Sequence, residues 1–165
     1  MDGSAAAGGP LRVLVLEDVP SDAELEIREL RRHGLVAEWT RVETERDFRS
    51  ALEEFRPDVV LADFSLPSWN GLEALRVVRA VRPELPFVIV TGSLDEETAA
   101  DCIKAGADDY VLKERLARLS HAVRAARDVW ASRLARRAAV AELPLLQSAR
   151  EAAADGVGIT DVEGS

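Results

Sequence analysis

Between residues 11 and 127, short apolar runs alternate with amphipathic segments five times over. A run such as Val59-Val60-Leu61-Ala62 is apolar at every position rather than every second one, which fits a strand covered on both faces. Strand and helix in regular alternation predict an α/β protein with a parallel sheet between two helical layers. Residues 36–42 form the least apolar of the five runs and belong at a sheet edge, so the flavodoxin-like doubly wound order 2-1-3-4-5 fits, with strands one and three flanking the switch point.

Helix boundaries are marked in the chain. Ser21-Asp22-Ala23-Glu24 reads as a capping box, Thr44 precedes a second helix with Asp47 three residues on, and Asn70-Gly71-Leu72-Glu73 offers a further cap. His33-Gly34, Arg82-Pro83 and Ala105-Gly106 place Gly or Pro where helices stop. In the first helix Ala23, Ile27 and Leu30 recur at the spacing of a face packed on the sheet. Beyond Lys113 the periodicity runs through Leu116, Leu119, Val123, Ala126, Trp130 and Leu134 to about Glu142, where Pro144 is expected to break it. A helix of roughly 29 residues, about 43 Å, exceeds what the sheet can cover, so its second half is expected to project. That half carries Arg124, Arg127, Arg133, Arg136 and Arg137 and reads as a solvated basic linker helix, its loosely heptad spacing leaving room for a homodimer.

The composition narrows the function. A formal charge of -9 argues against a nucleic-acid partner, because an acidic surface works against phosphate repulsion. No apolar run approaches the roughly 20 residues of a membrane helix, and the Gly- and Ala-rich residues 1–10 lack a basic region and an apolar core, so a flexible leader, no membrane partner and a cytoplasmic location are expected. The single Cys102 lies in an apolar helical stretch and reads as a packing residue.

Chemistry gathers at the carboxyl ends of the strands. Asp63 ends the run 59–62, Glu17 and Asp18 follow Val13-Leu14-Val15-Leu16, Thr91 follows Phe87-Val88-Ile89-Val90, and Lys113 follows Tyr110-Val111-Leu112. Three convergent carboxylates repel one another, which a raised pKa or a bound cation resolves. An all-oxygen site with positions open to water suits Mg²⁺ better than Zn²⁺. Carboxylate nucleophile, metal, ammonium and hydroxyl together make a site for phosphoryl transfer. Paired acids, a Lys or a Thr after a strand each have ordinary structural uses; their coincidence at matching strand ends is what points to function.

On these motifs, residues 11–127 resemble the receiver domain of two-component response regulators: Leu16-Glu17-Asp18; Leu61-Ala62-Asp63 followed by Pro67 and Gly71; Val90-Thr91-Gly92; and Lys104-Ala105-Gly106-Ala107-Asp108-Asp109-Tyr110-Val111-Leu112-Lys113. The resemblance implies that Asp63 accepts a phosphoryl group from a histidine kinase or a histidine phosphotransfer protein. It implies that Asp18, Asp63 and the backbone carbonyl of Ser65 bind Mg²⁺, with Glu17 assisting through water. Thr91 and Lys113 would hold the phosphoryl oxygens, and Tyr110 would change rotamer with Thr91 to alter the face of the fourth helix, fifth strand and fifth helix. Such a chain is a signalling domain that switches a partner or output domain rather than an enzyme. Departures are Glu17 for the commoner Asp, and Glu114 where many receivers carry Pro; Ser65 and Ser93 stand at positions that influence acyl-phosphate lifetime in the family.

Residues 128–144 then form the helical linker. Residues 145–165 resemble the start of a PAS domain through Ala154-Asp155-Gly156-Val157-Gly158-Ile159-Thr160, or else form a disordered tail. Rival readings are a scaffold of the same fold that is not phosphorylated and a Mg²⁺-dependent aspartyl phosphatase of the haloacid dehalogenase type, which wants an acid where Ser65 stands. A nucleotide binder lacks its Gly-rich loop. His121, with no adjacent acid, reads as a surface or packing residue rather than a phosphorylated histidine.

Overall fold

The computed structural model describes residues 9–93 and 95–155, with side chains to residue 140. Most of the 154–160 stretch that carries the PAS resemblance therefore lies outside the described residues. Five strands, β1 (Leu11–Leu16), β2 (Ala37–Val42), β3 (Val59–Ala62), β4 (Phe87–Thr91) and β5 (Asp109–Leu112), form one sheet in the order β2-β1-β3-β4-β5. All four pairings are parallel, with Leu16 opposite Val42 on one side and Ala62 on the other. The chain reverses its direction of winding between β1 and β3, which opens a crevice at their carboxyl ends. Helices α1 (Pro20–Arg32), α2 (Glu45–Glu54), α3 (Gly71–Val81) and α4 (Glu96–Lys104) follow successive strands, and α5 (Leu119–Asp155) follows β5.

The period of two along each strand divides the apolar residues between two cores. Val13 and Val15 pack with Ala23, Ile27, Leu30, Leu119 and Val123 on one face, while Leu14 and Leu16 pack with Phe48, Leu75, Val78 and Phe87 on the other. Each β1 residue from 13 to 16 is therefore fully buried. Cys102 is fully buried in the second core, in keeping with a packing role. β2, with four of its six residues at least partly exposed, forms the edge expected of the least apolar run.

Thr44 Oγ1 accepts the Asp47 N–H at 3.2 Å and Asn70 Oδ1 accepts the Glu73 N–H at 2.9 Å, so both expected caps form. Two other expectations need correction. The capping box at Ser21–Glu24 does not form: α1 begins at Pro20 behind Val19, which makes no side-chain cap. The fixed φ of proline prepares that first turn without a cap and leaves the Asp22 side chain free for another partner. Nor does a single helix run from Lys113. A 3₁₀ segment, Lys113–Arg118, comes first, with Arg115 at φ −129° and ψ 44°, and the α-helix then continues past Pro144 to Asp155. Proline removes one hydrogen bond from a helix and can bend it without ending it. By internal contacts the chain divides into two units, Met1–Asp128 and Val129–Ser165.

Gly71 allows α3 to start against the end of β3. Its N–H donates to the Phe64 carbonyl at 3.1 Å, and a Cβ there would lie 2.8 Å from the Asp63 carbonyl oxygen and 3.2 Å from the Phe64 Cα. Backbone cannot yield as a flexible side chain does, so Gly71→Ala is expected to displace the Asp63 segment and destabilise the domain by about 1–3 kcal/mol. Urea unfolding checks this; an unchanged midpoint would show that α3 can shift freely.

Candidate functional site

The sheet's own hydrogen bonds set the two central acids. The Glu17 N–H donates to the Val42 carbonyl at 3.0 Å and the Asp63 N–H to the Leu16 carbonyl at 2.9 Å, each continuing the ladder one step past its strand. Both side chains turn into the crevice and are buried, Glu17 at 1% exposure and Asp63 at 7%. Asp18 is half-buried beside them, and one carboxylate oxygen from each of the three lies within 4.8 Å of the others. Backbone amides hold one oxygen of each buried acid: Glu17 Oε2 accepts from Val19 at 3.1 Å and Asp63 Oδ1 from Ser65 at 3.2 Å.

Lys113, at the end of β5, reaches across to the other oxygens. Its Nζ lies 2.8 Å from Glu17 Oε1, 2.9 Å from Asp63 Oδ2 and 2.9 Å from Asp22 Oδ2. The contacts with Asp22 and Asp63 are hydrogen bonds. Glu17 Oε1 is ion-paired with the ammonium, but this buried atom makes no hydrogen bond. Three carboxylates thus surround one ammonium, Asp18 stands beside two of them, and the balance is negative.

These surroundings shift the titrations. Burial pushes the Glu17 carboxyl up to about 7 from 4.5, aided by the Asp63 charge and opposed by Lys113 and the Val19 amide. Burial works against the Lys113 ammonium, but its close contacts with the Asp22, Glu17 and Asp63 carboxylates outweigh it and raise the pKa above the usual lysine value. Glu26 of α1, 2% exposed, is raised well above the carboxylate range by burial and by the charge of Glu17.

Thr91 is buried at the same edge of the sheet, where its hydroxyl donates to the Ser93 carbonyl at 3.4 Å. Tyr110 on β5 is 37% exposed, and its carbonyl accepts from Arg118. The structure therefore brings Glu17, Asp18, Asp63 and Lys113 into one cluster, sets Ser65 against Asp63 through its amide, and leaves Thr91 and Tyr110 at neighbouring positions. His121 is exposed on α5.

Asp22 and Glu26 are the residues that sequence reading missed. They stand four apart in α1, and Glu26 shares the buried stripe of Ala23, Ile27 and Leu30. A carboxyl at a core position of an amphipathic helix is the signal that would have drawn attention to it.

The donors available are oxygens alone, and the buried Glu17 Oε1 lacks a hydrogen bond, which together fit a hard divalent cation. A doubly wound sheet with an acid cluster and a lysine at its switch point defines the class of the protein. Residues 13–124 match the family model of the response regulator receiver domain, and the chain belongs to that family. It is similar to the DNA-binding response regulator MtrA of Mycolicibacterium smegmatis, with 37% identity over 102 residues, which are 62% of this chain and 43% of that protein. The chain thus spans about half the length of the curated relatives it matches or less. Among solved structures, a response regulator receiver domain protein from Clostridium thermocellum aligns with a TM-score of 0.63 and 26% identity, over 72% of this chain and 94% of that one. A CheY-like receiver domain protein from Methanospirillum hungatei, at 23% identity and a TM-score of 0.65 over 75% of this chain and 98% of that one, shares the fold.

One expectation is overturned here. The charge of -9 argues against a nucleic-acid partner, yet a relative matched across this domain is named a DNA-binding response regulator. Net charge describes the surface of the segment that carries it, and it does not report what another part of a whole protein binds. On membranes the structure says only that no described helix is long and apolar enough to cross one.

Proposed function

We propose that this chain is a phosphoacceptor: Asp63 takes a phosphoryl group from a phosphohistidine on a partner kinase or phosphotransfer protein and thereby switches a partner or an output domain. The observation that carries the reading is the Asp63 carboxylate, buried at the switch point and 2.9 Å from Lys113 within an acid cluster made only of oxygens. An oxygen of Asp63 attacks phosphorus in line, the new O–P bond forms as the P–N bond to imidazole breaks, and the imidazole leaves with its electron pair. Asp18, Asp63 and the Ser65 carbonyl would hold Mg²⁺, with Glu17 assisting, and the ion when bound offsets charge on the phosphoryl oxygens. Lys113 would donate to one phosphoryl oxygen in place of Asp63 Oδ2, and the Thr91 hydroxyl to another once it leaves the Ser93 carbonyl. Inward movement of Thr91 vacates space toward Tyr110, whose half-exposed ring can then turn and alter the face of α4 and β5. Nucleic acid remains within the range of outputs for a whole protein of this kind, given the relatives' names.

The test is incubation with Mg²⁺ and acetyl phosphate, followed by intact and peptide mass spectrometry. One alkali-labile phosphoryl group on the Asp63 peptide, absent when EDTA replaces the metal, is expected. No uptake from either acetyl phosphate or a phosphorylated histidine kinase would defeat the proposal.

Glu17 makes the site sensitive to pH in a definite direction. Its folded pKa of about 7 lies above the 4.5 of the free group, so the native chain binds a proton that the unfolded chain has released. That contribution to stability is complete below about 4.5 and is lost as pH rises through about 7. Metal-free protein is therefore expected to lose stability from pH 5 to pH 8 more steeply than Glu17→Gln does, and Mg²⁺ to bind more weakly below pH 7, where the carboxyl is protonated. Parallel urea midpoints for the two chains across that range would refute this.

A further inference from the structure

Lys113 has three N–H groups, and three carboxylates surround them: Glu17, Asp63 and Asp22. Two of these partners are committed elsewhere in the proposed reaction, since Asp63 becomes the acyl phosphate and Glu17 turns toward the metal. Asp22 is neither nucleophile nor part of the acid cluster at the strand ends. It comes from the first turn of α1, 91 positions from Lys113 in the chain, and its hydrogen bond at 2.9 Å ties the helix that follows β1 to the far edge of the sheet. Because Pro20 starts the helix without a side-chain cap, Asp22 is not spent on capping.

We infer that Asp22 is the positioning residue for Lys113: it tethers the ammonium over the site throughout the reaction, including the interval when Asp63 and Glu17 no longer hold it. This rests on the phosphoacceptor reading for its consequence in rate, though the tether itself does not. A long, flexible lysine side chain left to two partners that both change role would sample orientations away from the phosphoryl oxygen, and misplacement of a charge-stabilising group costs rate. The side chain of Asp22 is 32% exposed, so its neutral variant leaves no buried orphan and the fold should be retained.

The composition supplies a clean readout. Lys104 and Lys113 are the only lysines in the chain, and Lys104 is exposed. In the 165-residue chain labelled with ¹⁵N-lysine, the Lys113 ammonium is expected to give the one signal protected from exchange with water. In Asp22→Asn that signal should be lost, and phosphorylation by acetyl phosphate with Mg²⁺ should slow about tenfold while the half-saturating donor concentration changes little. Asp22→Glu should restore part of both, and an unchanged melting temperature in both variants would set aside a general structural defect. A wild-type rate in Asp22→Asn would overturn the inference, as would a slowed rate with the Lys113 signal intact. If the wild type takes up no phosphoryl group but the Lys113 signal still depends on Asp22, the phosphoacceptor reading fails and the tether stands.

Discussion

Asp63→Asn is expected to take up less than about 1% of the phosphoryl group that the wild-type chain acquires from acetyl phosphate and Mg²⁺, because an amide oxygen is a poor nucleophile and carries no charge for a cation. The substitution keeps the shape of the side chain. Its oxygen can still accept from the Ser65 amide or from Lys113, the two groups that hold the carboxylate now. The fold should therefore persist, with near-ultraviolet circular dichroism unchanged and Mg²⁺ binding weakened rather than redirected to a new site. Peptide mass spectrometry on both chains checks this. Phosphate on the variant at the wild-type rate would place the acceptor on another residue and remove the basis of the proposed function.

Removing the cation should produce the second large effect, on stability. Lys113→Ala leaves Glu17 and Asp63, both buried, without the ammonium that now lies 2.8 and 2.9 Å from them. Breaking a buried ion pair by deleting one partner strands the other charge, and the expected loss is about 3 kcal/mol at pH 8. The sign of its pH dependence follows from Glu17. Burial already raises that carboxyl to about 7, and Lys113 is among the groups that hold it down, so without the lysine it rises further. Near pH 5 Glu17 is protonated in both chains, which relieves the stranded charge, so the deficit should shrink as pH falls from 8 to 5. Mg²⁺ at pH 8 should recover part of it, since the divalent ion supplies the missing counter-charge. Urea unfolding at both pH values, with and without metal, measures all three effects; a loss under about 0.5 kcal/mol at pH 8 would mean that the acids are solvated well enough to need no partner.

Much of this arrangement is legible in the chain because its signals are local. Strands buried on both faces read as unbroken apolar runs, and Asp63, Glu17, Thr91 and Lys113 are recognisable by following such runs directly. The caps of Thr44 and Asn70 are read correctly because a cap joins residues three apart. The capping box assigned to Ser21–Glu24 fails for a related reason: Pro20 competes for the same helix start, and a proline at the first position needs no cap. Apolar spacing does not distinguish a 3₁₀ turn from the first turns of a helix, so the pattern alone merges Lys113–Arg118 with the helix that follows it.

By itself the sequence determines the succession of strands and helices, the membership of the two cores and the presence of charged groups at strand ends, all of which are encoded in periods of two and about 3.6 residues. Only the tertiary structure decides that Asp22 of α1 meets Lys113 beyond β5, and that Glu26 is enclosed beside the acid cluster. Those contacts depend on the order in which strands pair and on the path of a side chain across three strand ends. No local period carries that information, because the residues share neither a turn of helix nor a strand and are brought together only when the sheet closes between them.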